Sequence, residues 1–225
     1  MNYIQARDLL PKAHISRLHD LVSGMNGFPW YFLSEDVAID TTGFKFGGDE
    51  LLEIPDRQKA CGFTHLLLDQ GGIESPFLPH FYGLLDTVKS LFDVPVEVFR
   101  LRLALQLNNG IDHHNAPHTD SEQDHYAGLF YFHDSSGETV FFEQFDEVHY
   151  GTIEDRWLRG RTQDYTIAHR EKPEANKFVL FDGHQYHASS NPTTNPWRVV
   201  LNFNLKSEHD LFTSYKTNYI KELEY

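Results

Sequence analysis

One cysteine, Cys61, in 225 residues rules out an intrachain disulfide, so the fold must stand on its apolar core. No apolar run approaches the ~18 residues that a membrane-spanning helix needs. The first residues carry Arg7 and Asp8 where a signal peptide would have an apolar centre. The expectation is a soluble, cytoplasmic protein. Basic residues are few: 19 Lys and Arg against 33 Asp and Glu give a formal net charge of -14. Such a surface repels phosphate and counts against nucleic acid as a partner, with a local patch at Arg156, Arg159 and Arg161 as the exception. No Ser-, Gly- or Pro-rich tract, internal repeat or low-complexity segment divides the chain, so one domain is expected over 1–225. A Gly-x-Ser-x-Gly elbow is lacking, and Cys61 sits among apolar neighbours without an evident base, which sets aside serine and cysteine hydrolases.

What the chain does contain is core material: 40% hydrophobic residues, including 18 Phe and 11 Tyr. From Tyr3 to Val22, Ile4, Leu9, Leu10, Ile15, Leu18, Leu21 and Val22 recur at roughly helical spacing, with Pro11 set to start or kink the helix. Between Trp30 and Asp69 the signals turn β-like, and 75–93 reads as helix again. The Gly-rich stretches at 43–48 and 70–73 read as turns. From 96 onward short strands are predicted at 96–107, 126–133, 138–145, 163–170, 176–182 and 197–205, the spacing of an all-β sandwich or barrel. That pattern divides the chain into a helical or mixed support region at 1–95, a β core at 96–206 and a tail at 207–225.

The chemistry-bearing segment is Ala116-Pro117-His118-Thr119-Asp120. On an extended backbone His118 and Asp120 face the same way. A second histidine is available in Phe181-Asp182-Gly183-His184-Gln185-Tyr186-His187, which offers both His184 and His187. Two histidines and one carboxylate make the facial triad of non-haem iron(II) oxygenases, which leaves positions open for a chelating cosubstrate and O2.

Taken together, these residues resemble the iron(II)- and 2-oxoglutarate-dependent oxygenases, and within them the prolyl 4-hydroxylase-like branch, over roughly residues 96–206. The resemblance is carried by His118-Thr119-Asp120, by Gly137-Glu138-Thr139 at the following hairpin, and by the run from His187 through Asn191-Pro192 to Arg198. It implies an α+β, mostly β fold: a double-stranded β-helix, or jelly roll, with N-terminal helices packed on one side. It also implies that His118, Asp120 and His187 ligate iron(II), because the family's distal histidine precedes a cosubstrate-binding cation by about the interval between His187 and Arg198, 11 residues. His184 stands 14 before Arg198 and fits less well. Arg198 would pair with the far carboxylate of 2-oxoglutarate, a role suited to a planar cation that keeps its charge when buried. Tyr131 aligns with a tyrosine that assists cosubstrate binding, and Asn202, on the face of Arg198, is a further candidate contact. O2 would be the co-reactant and ascorbate an auxiliary reductant. The same resemblance alone would make the Gly-rich stretches at 43–48 and 70–73 substrate-covering loops.

An intact Asp120 points to hydroxylation of an unactivated C–H bond, since related halogenases lack that carboxylate. The expected substrate is a prolyl residue in a peptide, with a free amino acid, another small molecule or a nucleobase as alternatives. A non-catalytic metal-binding β-barrel would have no need of Arg198, and nothing positive supports a structural role. The loop at 146–162, with Trp157 and three arginines, is a solvated hairpin or a substrate contact.

Overall fold

The computed structural model describes residues 2–24, 27–33, 62–110, 114–115, 117–121, 123–146 and 165–216. Gly43, Gly47, Gly48, Cys61, Trp157 and the three nearby arginines lie outside the described residues. Among those described, no helix is long and apolar enough to cross a membrane.

In chain order the elements are β1 (Tyr3–Ala6), α1 (Lys12–Val22), β2 (Tyr31–Leu33), β3 (Gly62–Asp69), β4 (Gly72–Ile73), a 3-10 turn (Leu78–Phe81), α2 (Tyr82–Ser90), β5 (Glu97–Leu107), β6 (Tyr126–Tyr131), β7 (Thr139–Phe145), β8 (Ile167–Glu171), β9 (Lys177–Asp182), β10 (Gln185–Ser189) and β11 (Trp197–Lys206). They form two antiparallel sheets. The larger runs β1-β9-β6-β11-β5-β3-β2, with β4 paired to β3, and the smaller runs β10-β7-β8. This is the jelly-roll architecture that the sequence led us to expect.

Two segments differ from their sequence reading. Tyr3–Ala6 is a strand, not the first turn of a helix, because Tyr3 to Ala6 pair with Phe181 to Phe178 of β9. The helix begins only after Pro11, whose fixed φ suits the position before a first turn. Gln185–Ser189, where no strand was expected, is β10 and pairs with β7. Gln70 and Gly71 have φ of 46° and 79° and form the tight turn from β3 to β4.

Strict alternation on β5 and β11 builds the two layers. Leu101, Leu103, Leu201 and Phe203 face outward into a cluster that includes Leu18 and Val22 of α1 and Leu84 and Val88 of α2. On the opposite face, Leu129, Tyr131, Val179, Phe181 and Val200 of the large sheet meet Phe141 of the small one. The Phe141 and Phe181 rings lie 4.8 Å apart, edge to face. The polar members of this inner face, Gln106, Arg198 and Asn202, are buried with it.

An ionic clasp joins β1, β8 and β9. Lys177, with a side chain 1% exposed, pairs with Glu171, which also accepts from Tyr3 and, at 2.7 Å, from Gln5. Burial pushes the Glu171 carboxyl up, but the donors Lys177, Tyr3 and His169 outweigh it and hold it below the usual carboxylate range. On Lys177 burial prevails over Glu171, and its ammonium is held below the usual lysine value. The Glu171 contribution to stability is therefore complete above about pH 4, the unfolded carboxylate value, and fades as pH falls through the lower folded value. Glu171→Gln should destabilise the fold by about 3 kcal/mol at neutral pH, because it leaves Lys177 buried with less counter-charge. Urea denaturation measures this, and a change under 1 kcal/mol would show that the clasp is not a stability element.

Candidate metal centre

His118 and His187 meet through one isolated antiparallel bridge. The His118 N–H donates to the His187 carbonyl at 2.9 Å, and the His187 N–H donates back to His118 at 3.0 Å. Residues paired in this way point their side chains to the same face, and the two rings stand 4.6 Å apart. Asp120, two residues after His118, joins them. Its Oδ1 is 3.9 Å from His118 Nε2 and its Oδ2 is 3.6 Å from His187 Nε2.

The three donor atoms all lie within 4.8 Å of one another. Ligand bonds of about 2.1 Å put neighbouring donors about 3 Å apart, so small rotations would bring this set onto one ion. His187 Nδ1 lies 3.2 Å from the Gln185 carbonyl, an acceptor that takes its N–H, and this orients the ring with Nε2 turned toward Asp120. Burial would raise the Asp120 carboxyl, but His187, His118, Arg102 and a hydrogen bond from Asn202 hold it well below the usual carboxylate range. Asn202 Nδ2 makes that bond to Oδ2 at 2.8 Å.

Arg198 lines the same cavity. It is 4% exposed, and no carboxylate pairs with it among the described residues. One terminal nitrogen donates to Gln106 Oε1 at 2.5 Å and the other to Thr139 Oγ1 at 2.7 Å, while Nε is buried with no hydrogen-bond partner. Gln106 is itself held, donating to Ser189 Oγ at 2.5 Å. The guanidinium is thus preset with donor capacity to spare.

Tyr131 stands behind it. Its ring centre is 5.8 Å from Arg198 Cζ, and its hydroxyl shares a hydrogen bond with Thr139 at 3.0 Å. Burial pushes that hydroxyl up to about 12 against the opposing pull of Arg198. His184 points elsewhere, its Nε2 2.9 Å from Asp124 Oδ1, so of the two histidines only His187 joins the cluster.

Gly137 explains itself here. A Cβ on it would lie 2.5 Å from the Ser190 carbonyl and 3.0 Å from Arg198 Cδ. Gly137→Ala should cost about 1–3 kcal/mol by overpacking and shift the guanidinium. A denaturation midpoint unchanged from wild type would disprove the tight fit.

Sequence reasoning missed Arg102 and Gln106, which line the cavity. Their signal was the alternation Arg102-Leu103-Ala104-Leu105-Gln106, which ordinarily means a solvated face. Here that face is the interior of the roll.

No protein-family model matches the chain, and neither does any curated protein sequence. Solved structures do. An oxidoreductase of the 2OG-Fe(II) oxygenase family from Burkholderia pseudomallei superposes with a TM-score of 0.55 over 96% of this chain and 89% of its own, at 12% identity. The non-heme alpha ketoglutarate dependent epimerase SnoN from nogalamycin biosynthesis gives 0.54 over 92% and 78%, at 10% identity. A Pseudomonas putida prolyl-4-hydroxylase gives 0.50 over 91% and 92%, at 12% identity. At such identities the likeness establishes the fold: this chain has the jelly-roll fold of those oxygenases.

Proposed function

We propose that the protein is an iron(II)- and 2-oxoglutarate-dependent oxygenase that hydroxylates an unactivated C–H bond. The observation that carries this is Arg198, a buried cation without a carboxylate partner among the described residues, lining one cavity with two histidines and an aspartate. A buried charge without a counter-charge is costly. A diacid that chelates a metal at the triad and places its far carboxylate on Arg198 removes that cost. A structural zinc site is disfavoured, since such sites use four protein ligands and the cluster offers three among the described residues.

Bound iron and 2-oxoglutarate would supply the oxidising power, drawn from O2 with succinate and CO2 as coproducts. The chain's own residues have narrower tasks. His118, Asp120 and His187 would hold the ion, three protein ligands that would leave room for cosubstrate and O2. Asn202 fixes the Asp120 carboxylate and Gln185 orients the His187 ring. Gln106 and Thr139 aim Arg198, with Tyr131 backing Thr139. Leu129 and Val200 give the cavity an apolar wall that limits water.

For the substrate, the sequence resemblance favours a prolyl residue, and one structural neighbour is a prolyl-4-hydroxylase, while another is an epimerase. The fold therefore leaves the substrate open. Anaerobic addition of iron(II) and 2-oxoglutarate should produce a weak visible charge-transfer band, and succinate release should follow when O2 and a substrate are admitted. A folded protein that gives no band sinks the reading, whereas silence across proline-containing peptides removes only the prolyl assignment.

A further inference from the structure

A fixed chain of hydrogen bonds leaves one hydroxyl in the cavity with a hydrogen to give. An arginine can only donate, so the 2.5 Å bond from Arg198 must end on the side-chain oxygen of Gln106. The amide nitrogen of Gln106 is then the end that meets Ser189 Oγ, at 2.5 Å. From the other side, the Leu107 carbonyl can only accept, so Asn191 turns its nitrogen to it, at 2.7 Å, and its oxygen to Asn115. Asn115 must answer with its own nitrogen, which donates to Asn191 and, at 3.0 Å, to Ser189 Oγ.

Ser189 Oγ thus accepts twice. A hydroxyl has two acceptor sites and one hydrogen, and here both acceptor sites are filled. The hydrogen has no acceptor among the described residues, and Ser189 lines the cavity that Arg198 and the triad share. It is left for whatever fills that space.

The position of this donor matches one end of a short diacid. Ser189 follows His187 by two residues on β10, so the two side chains share a face and stand about 7 Å apart along the strand. The carboxyl carbons of an extended five-carbon diacid are about 5 Å apart. A diacid that starts beside His187 therefore brings its far carboxylate level with Ser189. Ser189 is also the register partner of Thr139, which accepts from the second terminal nitrogen of Arg198 at 2.7 Å. The two bonds of 2.5 Å on either side of the Gln106 amide, itself about 2.3 Å wide, put Ser189 Oγ no more than about 7 Å from Arg198 Nη1. A carboxylate that accepts one hydrogen bond on each oxygen spans up to about 8 Å.

We propose that the Ser189 hydroxyl is a second cosubstrate contact, donating to the far carboxylate of 2-oxoglutarate beside Arg198 while Gln106 and Asn115 hold it in the donor state. The inference rests on the oxygenase reading and adds a residue that sets which 2-oxo acid is accepted. A carboxylate at that point satisfies the hydroxyl, whereas a chain ending in a methyl group does not.

The test uses the whole chain loaded anaerobically with iron(II). It is titrated with 2-oxoglutarate and with 2-oxopentanoate, which keeps the chelating end and carries a methyl group in place of the far carboxylate. The visible band reports binding of either acid without turnover. In Ser189→Ala the affinity for 2-oxoglutarate should fall about ten- to a hundredfold, the loss of one hydrogen bond to a charged group, while that for 2-oxopentanoate stays unchanged. Ser189→Thr keeps a hydroxyl and should restore most of the loss. A crystal structure of the wild-type protein with iron(II) and 2-oxoglutarate should place Ser189 Oγ within about 3 Å of a far-carboxylate oxygen. Three results overturn the proposal: Ser189→Ala binds 2-oxoglutarate as well as wild type does, both acids weaken together, or the hydroxyl lies beyond hydrogen-bond reach of the carboxylate in the complex. If wild type gives no band, the oxygenase reading falls and this inference with it.

Discussion

Asp120→Ala is expected to lower 2-oxoglutarate turnover by on the order of a thousandfold or more and to abolish the visible band, since changes one shell further out already cost ten- to a hundredfold at metal sites. Asp120 is the cluster's sole anion, and its two oxygens face His118 and His187 separately. Removing it deletes a ligand and also frees the Asn202 amide that held it. Asn202→Ala should therefore give a weaker version of the same defect, ten- to a hundredfold in iron affinity by the same rule. Succinate release and iron titration measure both variants. Undiminished turnover in Asp120→Ala would end the assignment of this residue.

Arg198→Gln should raise the half-saturating 2-oxoglutarate concentration by about two to three orders of magnitude, within the roughly 2–5 kcal/mol lost when one partner of a buried charge pair is truncated. Arg198→Lys should recover only part, because an ammonium cannot offer the planar two-point contact of a guanidinium. Stability of the protein without ligand should move little, by about 1 kcal/mol or less: no carboxylate among the described residues loses a partner, and the glutamine side chain can still reach for Gln106 or Thr139. This split separates a cosubstrate role from a structural one. A large loss of stability with unchanged cosubstrate affinity would make Arg198 a core residue and nothing more.

Most of the β core could be read from the sequence because its strands are long and strongly patterned. The ends of β5, β6, β7, β9 and β11 fall within two residues of the expected runs. β1 and β10 were not legible, for a shared reason: each is four or five residues long, and its extended form comes from a partner strand far along the chain and not from local pattern. The site shows the same division. His118 and Asp120 follow from the two-residue period of an extended segment, but preferring His187 over His184 needed the family spacing to Arg198. The structure supplies the physical reason, since His187 is paired with His118 on β10 while His184 sits in the turn before it. Arg102 and Gln106 were hidden by an ambiguity in strand alternation, which shows that two faces differ without showing which one meets water.

The bridge between His118 and His187 has a further consequence. On the His118 side it lies outside the strand ladders, flanked among the described residues only by the Asn115 N–H bond to the Ser189 carbonyl and the His114–Ser190 bridge, while His187 itself belongs to the β10–β7 ladder. Each of its two amides is sealed only by the other residue's carbonyl. Both amides should therefore trade their hydrogens with solvent on the timescale of local opening, well ahead of those in β11. An ion gripping both imidazoles would lock the two strands of the bridge together, so slowed deuterium uptake at these two positions would report loading of the centre without any turnover being observed.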